Sequence, residues 1–411
     1  MKYKVLYTFA YMAIGAFTPF IGPYLKSLGF SGSDIGMITA TGTTVAIAAV
    51  AFWGGIYSRR ETRSSKSLLL AGLCVGAIVF ALCLKAAVAL AFVLLFYALI
   101  YFMQPPSISL IDSLTVLSAG TKAYSTFGSK RAWGAVGFAL GVFVGGRIAS
   151  LAGVGSVFYI YTGCFLITAV TLILISREGE PESAAQEGDA ASAEGAEQGD
   201  AAKSAAGAES AVSAEAADGA AGTYRKLLSD KRVRQLLICM FFMGGTNVAN
   251  NTYFSFLYIE GGGTLAGVGI VMLLMVGSEV PFMAWCDRLA ERFTMQKTIL
   301  AAMLISSARF ILYGVGLPWW MLVVLFATQG AVNGIILVEF VRYISRLAPR
   351  GCESLAVSAY YVIGSNISTI VCQYIGGLLL DGFSAAGVYM FFGLFNLVGT
   401  ILYVVFGLHK A

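Results

Sequence analysis

The chain has one histidine, His409, close to its last residue, and only 12% of its residues are charged. A lone histidine at the tail argues against a Ser-His-Asp hydrolase or a histidine-built metal centre. The seven cysteines (Cys74, Cys83, Cys164, Cys239, Cys286, Cys352 and Cys372) lie in or beside apolar runs. None has metal-ligand spacing, and no disulfide framework is expected. The shortage of charge excludes more. A soluble domain carries roughly a quarter charged residues. This chain is 58% hydrophobic, more than a water-soluble fold can bury, so lipid is the expected solvent. No cleavable signal peptide is expected, because the first apolar run holds Pro19 and Pro23 and lacks a small-residue cleavage site. The residues point to no catalytic group, no metal and no cofactor.

What is present is apolar and periodic. Runs near 4–25, 34–57, 67–86, 88–111, 131–150 and 155–176 form one set. A second set falls near 233–258, 265–286, 296–316, 318–341, 354–380 and 384–408. Each is long enough to cross roughly 30 Å of hydrocarbon as a helix. The expected fold is therefore an all-α membrane protein of about twelve transmembrane helices in two six-helix bundles. Lysine and arginine set its orientation. With the N-terminus inside, only Lys26, Lys85 and Arg147 fall at outer ends, while clusters such as Arg59, Arg60, Arg63 and Lys66 fall inside. Both termini are expected in the cytoplasm.

Between the sets lies Glu178–Gly222, built from Ala, Gly, Ser, Glu and Asp. It holds eleven acids against one lysine, a local charge of −10 in a chain of net +5, leaving about +15 on the rest. Such a composition buries too little apolar surface to offset ordering entropy and reads as a disordered tether. The expected division is 1–177 as the first bundle, 178–222 as the linker and 223–411 as the second bundle. The positive remainder follows from the inside bias and requires no nucleic acid.

The two sets echo each other. "PYLKSLGFSGSDIGMI" (Pro23–Ile38) and "SFLYIEGGGTLAGVGIV" (Ser255–Val271) both run from an apolar helix end through Leu and a glycine turn to a small-residue helix start. Internal repetition of this kind marks transporters built around a central site. With "IGAFTPFIGPYLKSLGFSGSDIG" (Ile14–Gly36), "FGSKRAWGAVGFALG" (Phe127–Gly141) and "ISSARFILYG" (Ile305–Gly314) in view, the chain resembles the major facilitator superfamily. Within it, the likeness is to the branch of lactose permease and the phenylpropionate and nucleoside proton symporters. The likeness spans both halves apart from the tether. One departure lies in "GGIYSRRETRSSK" (Gly54–Lys66), with Ser58 or Arg59 where the superfamily's loop has Asp. The second-half counterpart, "AWCDRLAERF", keeps Asp287 and Arg288, a gating pair by resemblance.

Ionisable groups at bilayer depth need a partner, a cavity or water. The candidates are Asp112, Glu279, Arg309 and Glu339, with Arg131 at a helix entrance. By resemblance, Arg131 pairs with the helix-four acid Asp112 and binds substrate hydroxyls; an interfacial anchor is the other reading of Lys130 and Arg131. Trp133 offers a ring to a ligand, or sits at the interface. Asn247 and Asn251, four apart on one helix face, line a cavity or join helices. Gln329 stands by spacing where the branch has its helix-ten polar group. Glu279, in "VGSEVPFMAWCDR", has apolar neighbours and is the candidate proton carrier, or else a structural partner for an arginine. By resemblance, Arg309 assists proton release. Glu339, with Arg342 and Arg346 following, is expected in a gate ion pair. The glycine series Gly134, Gly137, Gly141, Gly145 is expected to allow close helix packing. Together these imply a monomeric secondary transporter of the bacterial cytoplasmic (inner) membrane, importing a small polar solute such as a sugar, nucleoside or aromatic acid with protons. The alternatives are a proton-coupled drug or metabolite efflux antiporter and a non-transporting membrane sensor or scaffold.

Overall fold

The structure, a computed structural model, describes residues 1–117, 123–177, 227–349 and 352–410. Side chains at 117, 123–129, 280–281, 283–291, 337 and 354 are outside the description as well. The acidic segment 178–222 therefore lies outside the described residues. Those described are almost wholly helical, and none forms a strand. Six helices precede the segment: α1 (Lys2–Ser27), α2 (Gly32–Ser58), α3 (Arg63–Ala86), α4 (Leu90–Leu117), α5 (Ala123–Ala152) and α6 (Val157–Ser176). After it come α7 (Lys231–Glu260), α8 (Leu265–Phe293), α9 (Met295–Gly314) and α10 (Trp319–Leu347). A last stretch, Leu355–Val405, is bent at Ser384, whose φ of 66° divides it into α11 (355–383) and α12 (385–405).

Among the described residues, nine stretches are long and apolar enough to cross a bilayer, the last of them 51 residues long. Two helices fall outside that count for identifiable reasons. α7 opens on Lys231, Arg232 and Arg234 and carries three asparagines. The apolar part of α8 that is described ends at Glu279. The observed ends otherwise depart from the apolar runs by a few residues, because polar first and last turns extend a helix beyond its apolar stretch.

The ends follow local chemistry. Ser31 caps α2 by accepting the Asp34 amide at 3.1 Å, and Thr264 caps α8 by accepting the Gly267 amide at 3.1 Å. Gly29 and Gly262, each two residues before its cap, have φ of 90° and 91°. The sequence echo is thus the same turn built twice.

Packing repeats in the same way. In the first set α1 packs on α5 and α6, α2 on α4, and α3 on α4 and α6. Advanced by six, the same pairs occur in the second: α7 with α11 and α12, α8 with α10, and α9 with α10 and α12. Between sets, α2 meets α11 and α5 meets α8, and each contact maps onto the other. The joins are backbone-close. A Cβ on Gly36 would strike Gly377 and the Gln373 carbonyl, and one on Gly269 would strike the Val142 carbonyl. Asp381, at the end of α11, accepts the first amides of α2, Gly32 at 2.5 Å and Ser33 at 2.8 Å. These joins gather at the end of the molecule remote from both termini. There α7 packs on the 18–27 part of α1, chiefly away from its first sixteen residues. The interior opens toward the terminus-bearing end.

Lipid is as apolar as leucine, so close packing and polar contacts, rather than burial from water, hold helices together here. The glycine stripe of α5 shows this directly. A Cβ on Gly137 would fall against the Thr8 carbonyl, and one on Gly141 against the Met12 carbonyl, both backbone atoms of α1. Gly141→Ala is therefore expected to destabilise the fold by about 1–3 kcal/mol, the usual range for overpacking. Thermal unfolding of the purified variant checks this; an unchanged midpoint would mean that α1 and α5 are free to separate.

Candidate functional site

Two consecutive cations begin the apolar part of α5, and the fold sends them to different places. Lys130 lies over the Tyr3 ring, 5.0 Å from its centroid. Arg131 turns to α4, its Nε 3.6 Å from Asp112 Oδ1. Asp112 follows the Pro105–Pro106 pair of α4 by about two turns and is buried, with 8% exposure. Its Oδ1 also accepts the Tyr7 hydroxyl of α1 at 2.6 Å. The Arg131 guanidinium sits 4.3 Å from the Tyr11 ring centroid and 6.0 Å from that of Tyr7. Gly134 leaves room for this, since a Cβ there would press on both Tyr11 and Arg131. The Arg131 side chain is 39% exposed and that of Asp112 11%. An acid, its cation and a hydroxyl thus stand at the wall of the open interior, backed by an aromatic face. An Arg fork beside a carboxylate binds hydroxyl-bearing molecules well.

Tyr7 and Tyr11 were not legible as site residues. Their i, i+4 spacing on the first helix was the available signal, but it also fits core packing. Trp133 is not brought to the pair. Two residues on from Arg131, it lies about 200° around the helix, with Lys4 Nζ 5.5 Å from its ring centroid.

The facing set supplies neutral amides. Gln329, with 1% exposure, donates from Nε2 to Asn247 Oδ1 at 3.1 Å and to Asn333 Oδ1 at 3.0 Å. Asn247 in turn donates to the Met243 carbonyl at 3.2 Å. Asn251, one turn along α7, is half-buried. Asn250 and Asn396, by contrast, join helices: Tyr389 donates to Asn250 at 2.7 Å, and Asn396 donates to Thr246 at 2.7 Å.

Glu279 lies on α8 where that helix presses on α10; a Cβ on Gly330 would strike Ser278 and the Glu279 amide. The carboxyl is half-buried, on the helix that packs against α5, which carries Arg131. Glu339, buried at 1% exposure, lies in a π-helical segment, Ile336–Phe340, and pairs with Arg342 at 3.2 Å. Such segments often mark functional sites. Arg309 does not meet Glu339. Its side chain is buried, with Phe310 4.6 Å and Tyr313 6.0 Å from guanidinium to ring centroid. All three guanidinium nitrogens lack hydrogen-bond partners among the described residues. Asp287 and Arg288 lie on α8, but their side chains are outside the described residues.

Comparison with known proteins agrees with this architecture. The profile of the MFS_1 like family matches residues 1–391. A maltose permease of Geobacillus stearothermophilus is 30% identical over 403 residues, covering 97% of this chain and 92% of that protein. The uncharacterized transporter YwbF of Bacillus subtilis (strain 168) is 26% identical over 397 residues, covering 96% and 90%. Among solved structures, the nucleoside transporter NupG superposes with a TM-score of 0.76 at 15% identity, covering 98% of each chain.

A buried cation without a partner costs free energy that an apolar side chain of similar length does not. Arg309→Met, which removes a buried cation that makes no hydrogen bond among the described residues, is expected to raise the unfolding midpoint. A lower midpoint would show that Arg309 is compensated by a group that shares its pocket.

Proposed function

The chain belongs to the MFS_1 like family and is a multi-pass membrane transporter of the major facilitator type; from that premise we propose that it imports a small polar solute, a maltose-type glycoside first, together with a proton. The observation that carries this reading is Arg131 of α5, 3.6 Å from Asp112 in one helix set, with Glu279 half-buried on α8, the helix of the other set that packs against α5. A sugar hydroxyl entering between Asp112 and Arg131 accepts from the guanidinium and donates to the carboxylate. Asn247 and Asn251 meet the opposite side of the same molecule, with Gln329 buried behind them and holding Asn247 in place, and the Tyr11 ring backs the cation. The name of the Geobacillus relative supports a disaccharide. The neutral amides on the second set favour an uncharged solute.

Coupling follows from one shared cation. With Glu279 ionised, Arg131 is divided between two carboxylates. A proton on Glu279 removes that competition and returns Arg131 to Asp112, where it orders the hydroxyl site. Proton and solute then bind best together, and by linkage each raises the affinity for the other. The two sets, 1–177 and 223–411, act as bundles joined by the 178–222 linker and rock about the site. The twelve helices cross the bacterial inner membrane with both termini in the cytoplasm, where the basic loops gather. The opening at the terminus-bearing end is then the inward-facing form of a monomer. Glu339–Arg342 and Asp287–Arg288 serve as gates at that face.

Asp112→Asn and Arg131→Ala are each expected to weaken maltose binding at least tenfold in a folded protein, measured by ligand-induced thermal shift. Undiminished binding in either variant would reduce that residue to a helix anchor.

Glu279→Gln imitates the protonated form permanently. Solute affinity, which in the wild type falls as pH rises past the titration of Glu279, should become insensitive to pH at its high value. Counterflow of labelled for unlabelled solute in proteoliposomes should survive, while uphill accumulation driven by a pH gradient is lost. Wild-type accumulation in this variant would remove Glu279 from the coupling and leave Asp112 or Glu339 as the proton site.

A further inference from the structure

Of two grooves described away from Asp112 and Arg131, the larger carries the inference. It is a groove of about 420 Å³ on the flank of α2, α3 and α4, far from Asp112 and Arg131 and lined mostly by apolar side chains. Its residues are ordered by depth. Arg60 stands in the turn between Ser58, the last residue of α2, and Arg63, the first of α3. Trp53 lies five residues back along α2, about 8 Å below that turn. Leu68 and Leu69 follow on α3, and Gly72 lies about 14 Å below its start. The groove therefore has a cationic mouth, a polar ring at intermediate depth and an apolar floor.

Three observations bear on its occupant. First, the turn from 59 to 66 holds Arg59, Arg60, Arg63 and Lys66 against one acid, Glu61. Two of these cations are already engaged: Arg63 donates to the Tyr3 hydroxyl at 3.1 Å, and Lys66 lies 5.4 Å from the Tyr57 ring centroid. Arg60 is exposed and lines the mouth. The N-terminus of the 24-residue α3 points its positive end at the same place. Second, Trp53 Nε1 is buried with no hydrogen-bond partner among the described residues. A buried donor of this kind lacks its acceptor, and because the Trp53 side chain lines the groove, a turn of the indole brings the N–H to an acceptor seated there. Third, a Cβ on Gly72 would meet nothing within 4 Å, so the protein itself leaves the floor empty. Phe52 and Leu68 beside it are 53% and 51% exposed to the surroundings of the helix.

We propose that this groove binds one anionic glycerophospholipid. The phosphate pairs with Arg60, an ester carbonyl accepts the Trp53 N–H, and an acyl chain lies past Leu68 and Leu69 over Gly72. The vertical order of cation, donor and apolar floor matches the order of phosphate, ester and chain in a lipid. The excess of positive charge at the mouth selects an anionic headgroup over a zwitterionic one. The full chain in detergent micelles is the material for the test. Retention of phosphatidylglycerol and of phosphatidylcholine with the same acyl chains is compared by native mass spectrometry. The wild type should hold one phosphatidylglycerol at a concentration at least tenfold below that needed for phosphatidylcholine. Gly72→Leu should fill the floor and Arg60→Gln should remove the mouth charge, each abolishing the tenfold preference. Both positions face open space, so both variants fold, and their unfolding midpoints in phosphatidylcholine should match the wild type. Equal retention of the two lipids by the wild type, or unchanged preference in both variants, would overturn the proposal. So would displacement of phosphatidylglycerol by millimolar inorganic phosphate, which would make the mouth a free-anion site.

Discussion

A carboxylate in hydrocarbon keeps its charge only beside a partner, and the contact of Asp112 with Arg131 and Tyr7 meets that condition where α1, α4 and α5 converge. The contact depends on how near those helices come. Gly137 and Gly141 let α5 lie against the backbone of α1, and Gly134 leaves space for the guanidinium beside Tyr11. Larger residues at these points would move Tyr7 away from the acid and leave a buried carboxylate short of a donor. The packing of apolar helices and the chemistry of the polar site are therefore one arrangement.

The same helical plan is used twice with different contents. Matching turns at Gly29 to Ser31 and Gly262 to Thr264 begin α2 and α8, and the helix pairings correspond throughout. The interiors differ. The first set places an acid, a cation and two tyrosines at its centre, while the second presents Asn247, Gln329 and Asn333. A repeated scaffold sets two faces opposite each other, and divergence of a few side chains makes one ionic and the other neutral. The second set keeps charged exceptions in the half-buried Glu279 and the buried Arg309 and Glu339.

The joins between the sets show why such a molecule can change shape. They rest on small residues and a few hydrogen bonds, such as those of Asp381 to the first amides of α2. Thr43 also donates to Gln373 at 3.0 Å. An apolar cluster also runs through both sets, with Phe20, Ile21 and Tyr24 from the first and Tyr253, Phe254 and Leu257 from the second, while polar groups released at the joins find water at the membrane surface. The family relationship, which covers most of the chain, fits a molecule whose two halves separate at either end.

Much of this was written in the chain itself. Long apolar runs with scarce charge dictate membrane helices, because a helix satisfies its own backbone in lipid. The glycine turn repeated at Pro23–Ile38 and Ser255–Val271 announced a duplicated plan. Scarce charge at bilayer depth singled out Asp112 and Arg131, and the resemblance to the lactose permease branch implied that they pair. Tertiary structure decided the rest. Helical rotation sent Arg131 to Asp112, Lys130 to Tyr3 and Trp133 to the far side, a difference invisible in three nearby letters. Tyr7 and Tyr11 entered the site from another helix, and nothing in their own neighbourhood sets them apart from packing residues; Asn333 stands one turn from Gln329 on the same helix. Arg309, assigned to proton release by resemblance, lies buried without a hydrogen-bond partner among the described residues. Local sequence fixes which residues a helix bears and on which face; which faces meet is settled only when the helices pack, since a rotation of 100° per residue turns neighbours in sequence into strangers in space.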